Sequence, residues 1–159
     1  YKAVFSLVSA IGLALIILGY GKLQAMPGKN PDLWYPPIWT RHIALALMLP
    51  SMILLVAGYV PSRIRDAVKH PMLAAIKIWA LAHLLANGDL ASVVLFGSFL
   101  AWAVFDRISV KRRGALGPIG NRRGGPIIND PLVVAAGVAL YFLVLHWLHA
   151  LLIGVSPLA

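Results

Sequence analysis

The chain contains no cysteine and no glutamate, and its only acids are five aspartates among 159 residues. Without cysteine there is no disulfide, no thiolate ligand, no CxxCH haem attachment and no iron–sulfur cluster held by this chain. Without glutamate there is no HExxH site, and paired-carboxylate chemistry is disfavoured because most aspartates fall at the edges of apolar segments. A Walker loop and a GxGxxG fingerprint are missing as well. The run "GPIGNRRGG" has glycines and arginines but follows no strand and opens no helix, so it reads as a loop. Charge of any sign is scarce, at 12% of residues against roughly a quarter in a soluble domain.

Apolar residues take the place of the missing charge. They make up 60% of the chain, and the mean hydropathy is +0.84. The length allows one domain, 1–159, and the composition puts it in a bilayer. The formal net charge is +9. In a soluble protein that excess would point to nucleic acid. Here the basic residues gather in loops, so membrane orientation explains them and no nucleic-acid partner is expected.

Five apolar spans approach the roughly 20 residues needed to cross a bilayer. They run over 3–20, 42–60, 71–86, 90–108 and 132–155, the third being short. Helices satisfy the backbone of an open chain in lipid, and the spans lack the alternation of barrel strands. The expected fold is an all-α integral membrane bundle of about five transmembrane helices. The segment "AMPGKNPDLWYPPIW", with four prolines, divides the first two spans. "NGD" divides the third and fourth, which predicts a tight hairpin. Pro50 falls inside the second span and should kink it. No internal repeat, separate soluble domain or cleavable signal peptide is expected.

Alternate loops differ in charge. One side holds Lys2, Arg63, Arg65, Lys69, Arg107, Lys111, Arg112, Arg113, Arg122 and Arg123, while the other holds Lys22, Lys29 and Arg41. Ten against three predicts that loops 61–70 and 107–131 are cytoplasmic. Tyr20, Trp34, Tyr35 and Trp39 then form an aromatic belt on the outer side.

A rise of about 1.5 Å per residue gives depths within this topology. His83 lies about 20 Å from the inner end of its span, and His146 and His149 about 21 and 26 Å along theirs. Met48 lies about 9 Å below the outer surface, with Met52 one turn deeper. His70 alone among the histidines sits at the cytoplasmic edge. Lys77 can snorkel to that edge, or pair with Asp106. A single intramembrane histidine often only bridges helices, and Met48 and Met52 can simply pack. His146 and His149 are an i, i+3 pair that would share one helical face. Trp79, Ala80, His83 and Asn87 also share a face, where Ala80 would leave a notch beside the imidazole and Trp79 a flat wall. A planar macrocycle such as haem, an apolar isoprenoid, or plain small-residue packing each suits that arrangement.

The stretch "KHPMLAAIKIWALAHLLANGDLASVVLFGSFLAWAVFDRISVKRR" resembles the core of the NnrU family of bacterial membrane proteins. "LWYPPIWTRHIALALMLP" and "LHWLHALLIGVSPL" resemble it too, so the likeness covers nearly the whole chain. The resemblance implies residence in the bacterial inner membrane and an association with denitrification through nitrite and nitric oxide reductases. The plant and cyanobacterial 15-cis-zeta-carotene isomerases belong to the same broader family, and that branch binds haem b and isomerises a polyene. One axial histidine of that branch lies thirteen residues after the His-Pro histidine, which carries the role to His83. The branch's cysteine three residues earlier is Ala80 here, so a ligand switch through cysteine is not implied. Its other axial histidine lies on a helix ahead of the part matching Tyr1, which would make a sixth helix. Within this chain the residues at suitable depth are Met48, His146 and His149.

Two functions from different classes are open to such a chain. The first is a haem b-binding membrane protein with a redox or isomerase-like role, with His83 as an iron ligand. The second is a non-catalytic assembly or scaffold factor for a respiratory or denitrification complex, its histidines serving as helix–helix contacts. A proton or small-molecule carrier using Lys77 and the histidines ranks third, since no inverted repeat is visible. The partners expected are the lipid bilayer, a polyene or other apolar small molecule, and a membrane protein or second copy.

Overall fold

The computed structural model describes residues 2–114 and 125–158. Arg122, Arg123, the side chain of Lys2 and most of "GPIGNRRGG" lie outside the described residues. Among the described residues there are seven α-helices in order: α1 Lys2–Ala25, α2 Ile38–Ala57, α3 Arg63–Val68, α4 Pro71–Ala86, α5 Leu90–Arg112, α6 Asn129–Leu143 and α7 His149–Ile153. A π-helical turn, Val144–Leu148, joins α6 to α7 without a break. Four of these segments, at 3–25, 38–57, 90–112 and 129–153, are long and apolar enough to cross a membrane, and Pro71–Ala86 is a shorter fifth. The chain is an all-α integral membrane protein.

Helix α4 begins at Pro71, where the missing N–H costs nothing in a first turn. It ends where Asn87 folds back, both its backbone N–H and its side-chain amide donating 2.9 Å bonds to the His83 carbonyl. Asp89 then caps α5 by accepting from the Ser92 N–H at 3.0 Å. These caps make the predicted hairpin. α3 was not expected inside "VPSRIRDAVKHP". Its signal is Ser62, whose buried hydroxyl accepts from the Arg65 N–H at 3.2 Å as an N-cap.

The helices pack in a row, α6 on α2, α2 on α4, α4 on α5, and α1 leaning on α5. The centre of the row is held by small residues, as expected where lipid supplies no hydrophobic drive between helices. Ala57 and Ala80 are wholly buried, and Ala75 and Ala82 nearly so. The Ser51 hydroxyl donates to the Ala75 carbonyl at 2.9 Å, tying α2 to α4. Gly137 of α6 lies so close to α2 that a Cβ there would stand 2.5 Å from the Ile53 Cα. Pro50 sits inside α2 on an exposed face.

The two ends of the bundle are knitted differently. At the α3 end, Arg63 donates to Asp130 from its backbone N–H at 2.8 Å and from Nε at 2.6 Å. Asn129 donates to the Pro61 carbonyl at 2.8 Å. At the hairpin end, the loop after α1 docks on the Asn-Gly-Asp turn. The Leu33 N–H donates to the Gly88 carbonyl at 2.8 Å and the Leu90 N–H to the Pro31 carbonyl at 3.0 Å. A Cβ on Gly88 would stand 1.8 Å from the Trp34 carbonyl oxygen, so only glycine admits this loop.

Candidate functional site

His83 lies in the last turn of α4, half-buried, in a group of rings shared with α5. Phe96 stacks on the imidazole at 4.4 Å between centroids and 27° between planes. Trp79 lies one turn back at 5.0 Å and 51°. Trp79 in turn meets Phe96 at 5.1 Å and Phe99 at 5.5 Å, both edge to face. Such contacts fix the ring's plane. The Nδ1 atom of His83 bonds the Trp79 carbonyl at 2.8 Å, one helical turn earlier.

A second imidazole approaches from another helix. His149, the first residue of α7, has its ring 6.4 Å from that of His83, with the planes only 17° apart. Its Nδ1 bonds the Val155 carbonyl at 2.6 Å. That bond is possible because Gly154 takes a left-handed conformation, φ 81°, and turns the chain back over α7. A carbonyl oxygen can only accept, so Nδ1 carries the proton on both rings. Each Nε2 therefore keeps its lone pair in the neutral imidazole, and among the described residues no protein group bonds it.

The structure separates the other predicted residues from this pair. His146 falls within the π turn and is exposed, its ring 6.1 Å from Phe142 and 5.7 Å from Trp147. A π turn advances less per residue than an α turn, so residues three apart splay and the expected shared face is lost. Met48 is half-buried on α2, while Met52 is buried. Ala80 is wholly buried, so its small side chain serves close helix approach, and the expected open notch is filled. Asn87 is the cap of α4 described above. Asp106 meets Arg113 at 3.9 Å, so the alternative of a Lys77–Asp106 pair is replaced by a contact on α5's own last turns. His70 lies just outside α4, thirteen residues from His83, beside the end of α5. Its pKa is lowered by burial and then by the Arg107 cation, with Asp106 opposing them.

Phe96 and Phe99 were not singled out from sequence, yet a signal for them exists. His83 is six residues before Asp89 and Phe96 seven after it; Trp79 and Phe99 are each ten away. In an antiparallel hairpin, residues equidistant from the turn lie level.

Two further features frame the site. Asp89 is the hub of a polar network at the hairpin end, where Gln24 and Asn30 donate to its Oδ1 at 2.9 and 3.0 Å. Burial alone would raise its pKa, but the bonds from Ser92 and Asn30 outweigh that and hold the carboxyl below the usual range. Between α1 and α5 lies an apolar groove of about 630 Å³, lined by Leu15, Ile16, Gly19, Leu95, Phe99 and Trp102 among others. Phe99 belongs both to this groove and to the Trp79 ring group.

Among the described residues no three histidine or aspartate side chains cluster to hold a bare metal ion. A structural or catalytic zinc site needs at least three protein ligands. Two imidazoles with free Nε2 atoms match instead the needs of a metal already held by a macrocycle, which lacks only axial ligands. The donor chemistry of these two imidazoles is of the kind such a group takes.

A family model described as NnrU protein matches residues 1–157. The chain belongs to the NnrU family. Neither the curated proteins nor the solved structures contain a match to it.

Proposed function

We propose that this NnrU protein binds haem b within its bundle, with His83 as an axial ligand, and serves a redox or isomerase-like role linked to denitrification in the bacterial inner membrane. One observation carries the reading. The His83 ring is oriented by Phe96 and Trp79, its proton is committed to the Trp79 carbonyl, and its Nε2 is left without a protein partner among the described residues. A hydrogen bond from Nδ1 to a carbonyl is the usual outer support of a metal-bound histidine, since it fixes the tautomer and raises basicity. When bound, haem would supply one-electron chemistry, while this chain would set ligand, burial and orientation. The groove at Phe99 is suited to a polyene or another apolar small molecule. The basic loops 61–70 and 107–131 would face the cytoplasm.

The test is the absorption spectrum of the purified chain, expressed with haem supplementation, oxidised and then reduced. A Soret band that sharpens and shifts on reduction is expected, and its loss in His83→Ala. A protein without a Soret band contradicts the reading.

The assembly-factor reading has its own observation. Helix α1 exposes apolar side chains around nearly its whole circumference, a surface that a partner helix could cover as well as lipid. Stable co-purification of a reductase with a chromophore-free chain would favour it.

A further inference from the structure

We infer that the basic end of α5 holds one anionic phospholipid, its phosphate taken by Arg112, Arg113 and Ser109 and an acyl chain laid along Ile108 and Phe105. The site is independent of the haem reading and lies at the other end of the helix that packs on His83.

A cavity of about 210 Å³ opens on the last turns of α5, lined by Phe105, Ile108, Ser109, Arg112 and Arg113. These positions are i, i+3, i+4, i+7 and i+8, which is one face of a helix. Arg113 caps α5 and keeps helical backbone angles, so it continues that face. The chemistry along the face is graded. Phe105 and Ile108 come first, both exposed, Phe105 at 73%. Ser109 follows, half-buried, and two exposed guanidinium groups close the row. Apolar surface, hydroxyl and cation in that order match the acyl chain, glycerol and phosphate of a phospholipid.

The guanidinium groups are open to a phosphate. Arg113 meets Asp106 only at 3.9 Å, beyond hydrogen-bond reach. Among the described residues no acid pairs with Arg112. The planar fork of arginine takes two phosphate oxygens at once. Arg107 and Lys111 add positive charge to the same turns, with Asp106 the one acid among them, which favours a headgroup of net negative charge over a zwitterion. Loop orientation alone would also place basic residues here. It calls for no cavity, however, and for no serine and apolar wall in line with the charge. Lys111 marks the difference: it is one residue from Arg112, carries the same charge and takes no part in the cavity.

Size and length agree. The cavity is smaller than the roughly 300 Å³ at which pockets for whole small molecules begin, so it admits a headgroup and leaves the tails in the bilayer. From Arg112 back to Trp102 is ten residues, about 15 Å of helix, which is half of a hydrocarbon core about 30 Å thick. Trp102 stands at the near end of the α1–α5 groove. A lipid held at Arg112 thus ends its chain where the groove begins, and the two occupy opposite leaflets.

The experiment is native mass spectrometry of the full chain, purified in detergent and mixed with equal amounts of dioleoyl phosphatidylglycerol and dioleoyl phosphatidylcholine. No charged bilayer surface remains in detergent, so a retained lipid reports a site. Wild type should retain phosphatidylglycerol over phosphatidylcholine by about fivefold or more, the weight of about one basic residue beside an anionic headgroup. Arg112→Ala should reduce that preference to within about twofold, while Lys111→Ala should keep it. Both side chains are exposed, so neither change disturbs packing. Phe105→Ala should lower retention of both lipids about threefold with the preference intact. Equal losses in Arg112→Ala and Lys111→Ala would mean diffuse attraction and overturn the site, as would equal retention of the two lipids by wild type. Displacement of the lipid by inorganic phosphate would overturn the assignment to a lipid and leave a site for free phosphate in its place.

Discussion

Helices α1 and α4 are built from similar apolar residues and behave in opposite ways. α1 is 24 residues long, the most apolar of the spans, and its side chains are almost all exposed. α4 is 16 residues, shorter than any of the four long spans, yet it lies between α2 and α5 and buries Leu73, Ala75, Ala80 and Ala82. The difference is not hydrophobicity. In a bilayer an apolar side chain gains little by leaving lipid for protein, so helices associate through small residues, close backbones and hydrogen bonds. α4 has all three. α1 has two points of hold near its end, the Tyr20–Ser92 contact at 3.2 Å and the Gln24–Asp89 bond at 2.9 Å. The helix that packs tightly is also the one that carries His83.

Glycine substitutions should break this contrast most sharply. Gly88→Ala sets a methyl against the Trp34 carbonyl, and because backbone must move, a loss of about 3 kcal/mol or more is expected. Gly137→Ala meets the Ile53 Cα and should cost about 2–3 kcal/mol. Both would appear as lower thermal midpoints in detergent. Asp89→Ala removes the cap of α5 and the acceptor for Gln24 and Asn30, with an expected cost of about 1 kcal/mol.

Asp89 also sets a pH dependence with a definite sign. Its folded pKa is depressed, so its contribution is complete above the unfolded value, about 3.9, and is lost as pH falls through the folded value. The midpoint of wild type should drop over that acidic window more than that of Asp89→Ala. Ser51→Ala, which removes the bond to the Ala75 carbonyl, should cost about 0.5–1 kcal/mol. At the other extreme, Gly12→Ala in α1 meets nothing within 4 Å and should change the midpoint little, or raise it through helix propensity alone. A large loss there would mean that α1 is packed against something that its exposure does not reveal.

Much of this architecture was legible because punctuation in the chain is strong. The boundaries of α4 follow from His-Pro at one end and Asn-Gly-Asp at the other, and the structure reproduces Pro71–Ala86 as expected. α1 and α5 run four or five residues past the expected ends, at Ala25 and Arg112, because polar residues there continue the helix beyond the apolar core. The short α3 was missed since its six residues are too few for periodicity, leaving only the Ser62 cap as a signal. The site was legible in part. His83 stood out as an ionisable group in an apolar span. Its neighbour His149 was one of three residues at similar depth, and depth cannot choose among them. The choice depends on a π turn, which adds one residue to a helical turn without any composition that marks it. From sequence alone Ala80 is open between a notch and close packing, because a small residue beside a histidine can open a space or admit a helix, and its complete burial agrees with close packing.

The central claim is that His83 holds a haem, and its most direct measurement is the amount of haem b extracted per chain from purified wild type and His83→Ala. The account predicts close to one haem per chain in wild type and less than about a tenth of that in the variant. Equal haem content in the two proteins, or none in wild type, would contradict it.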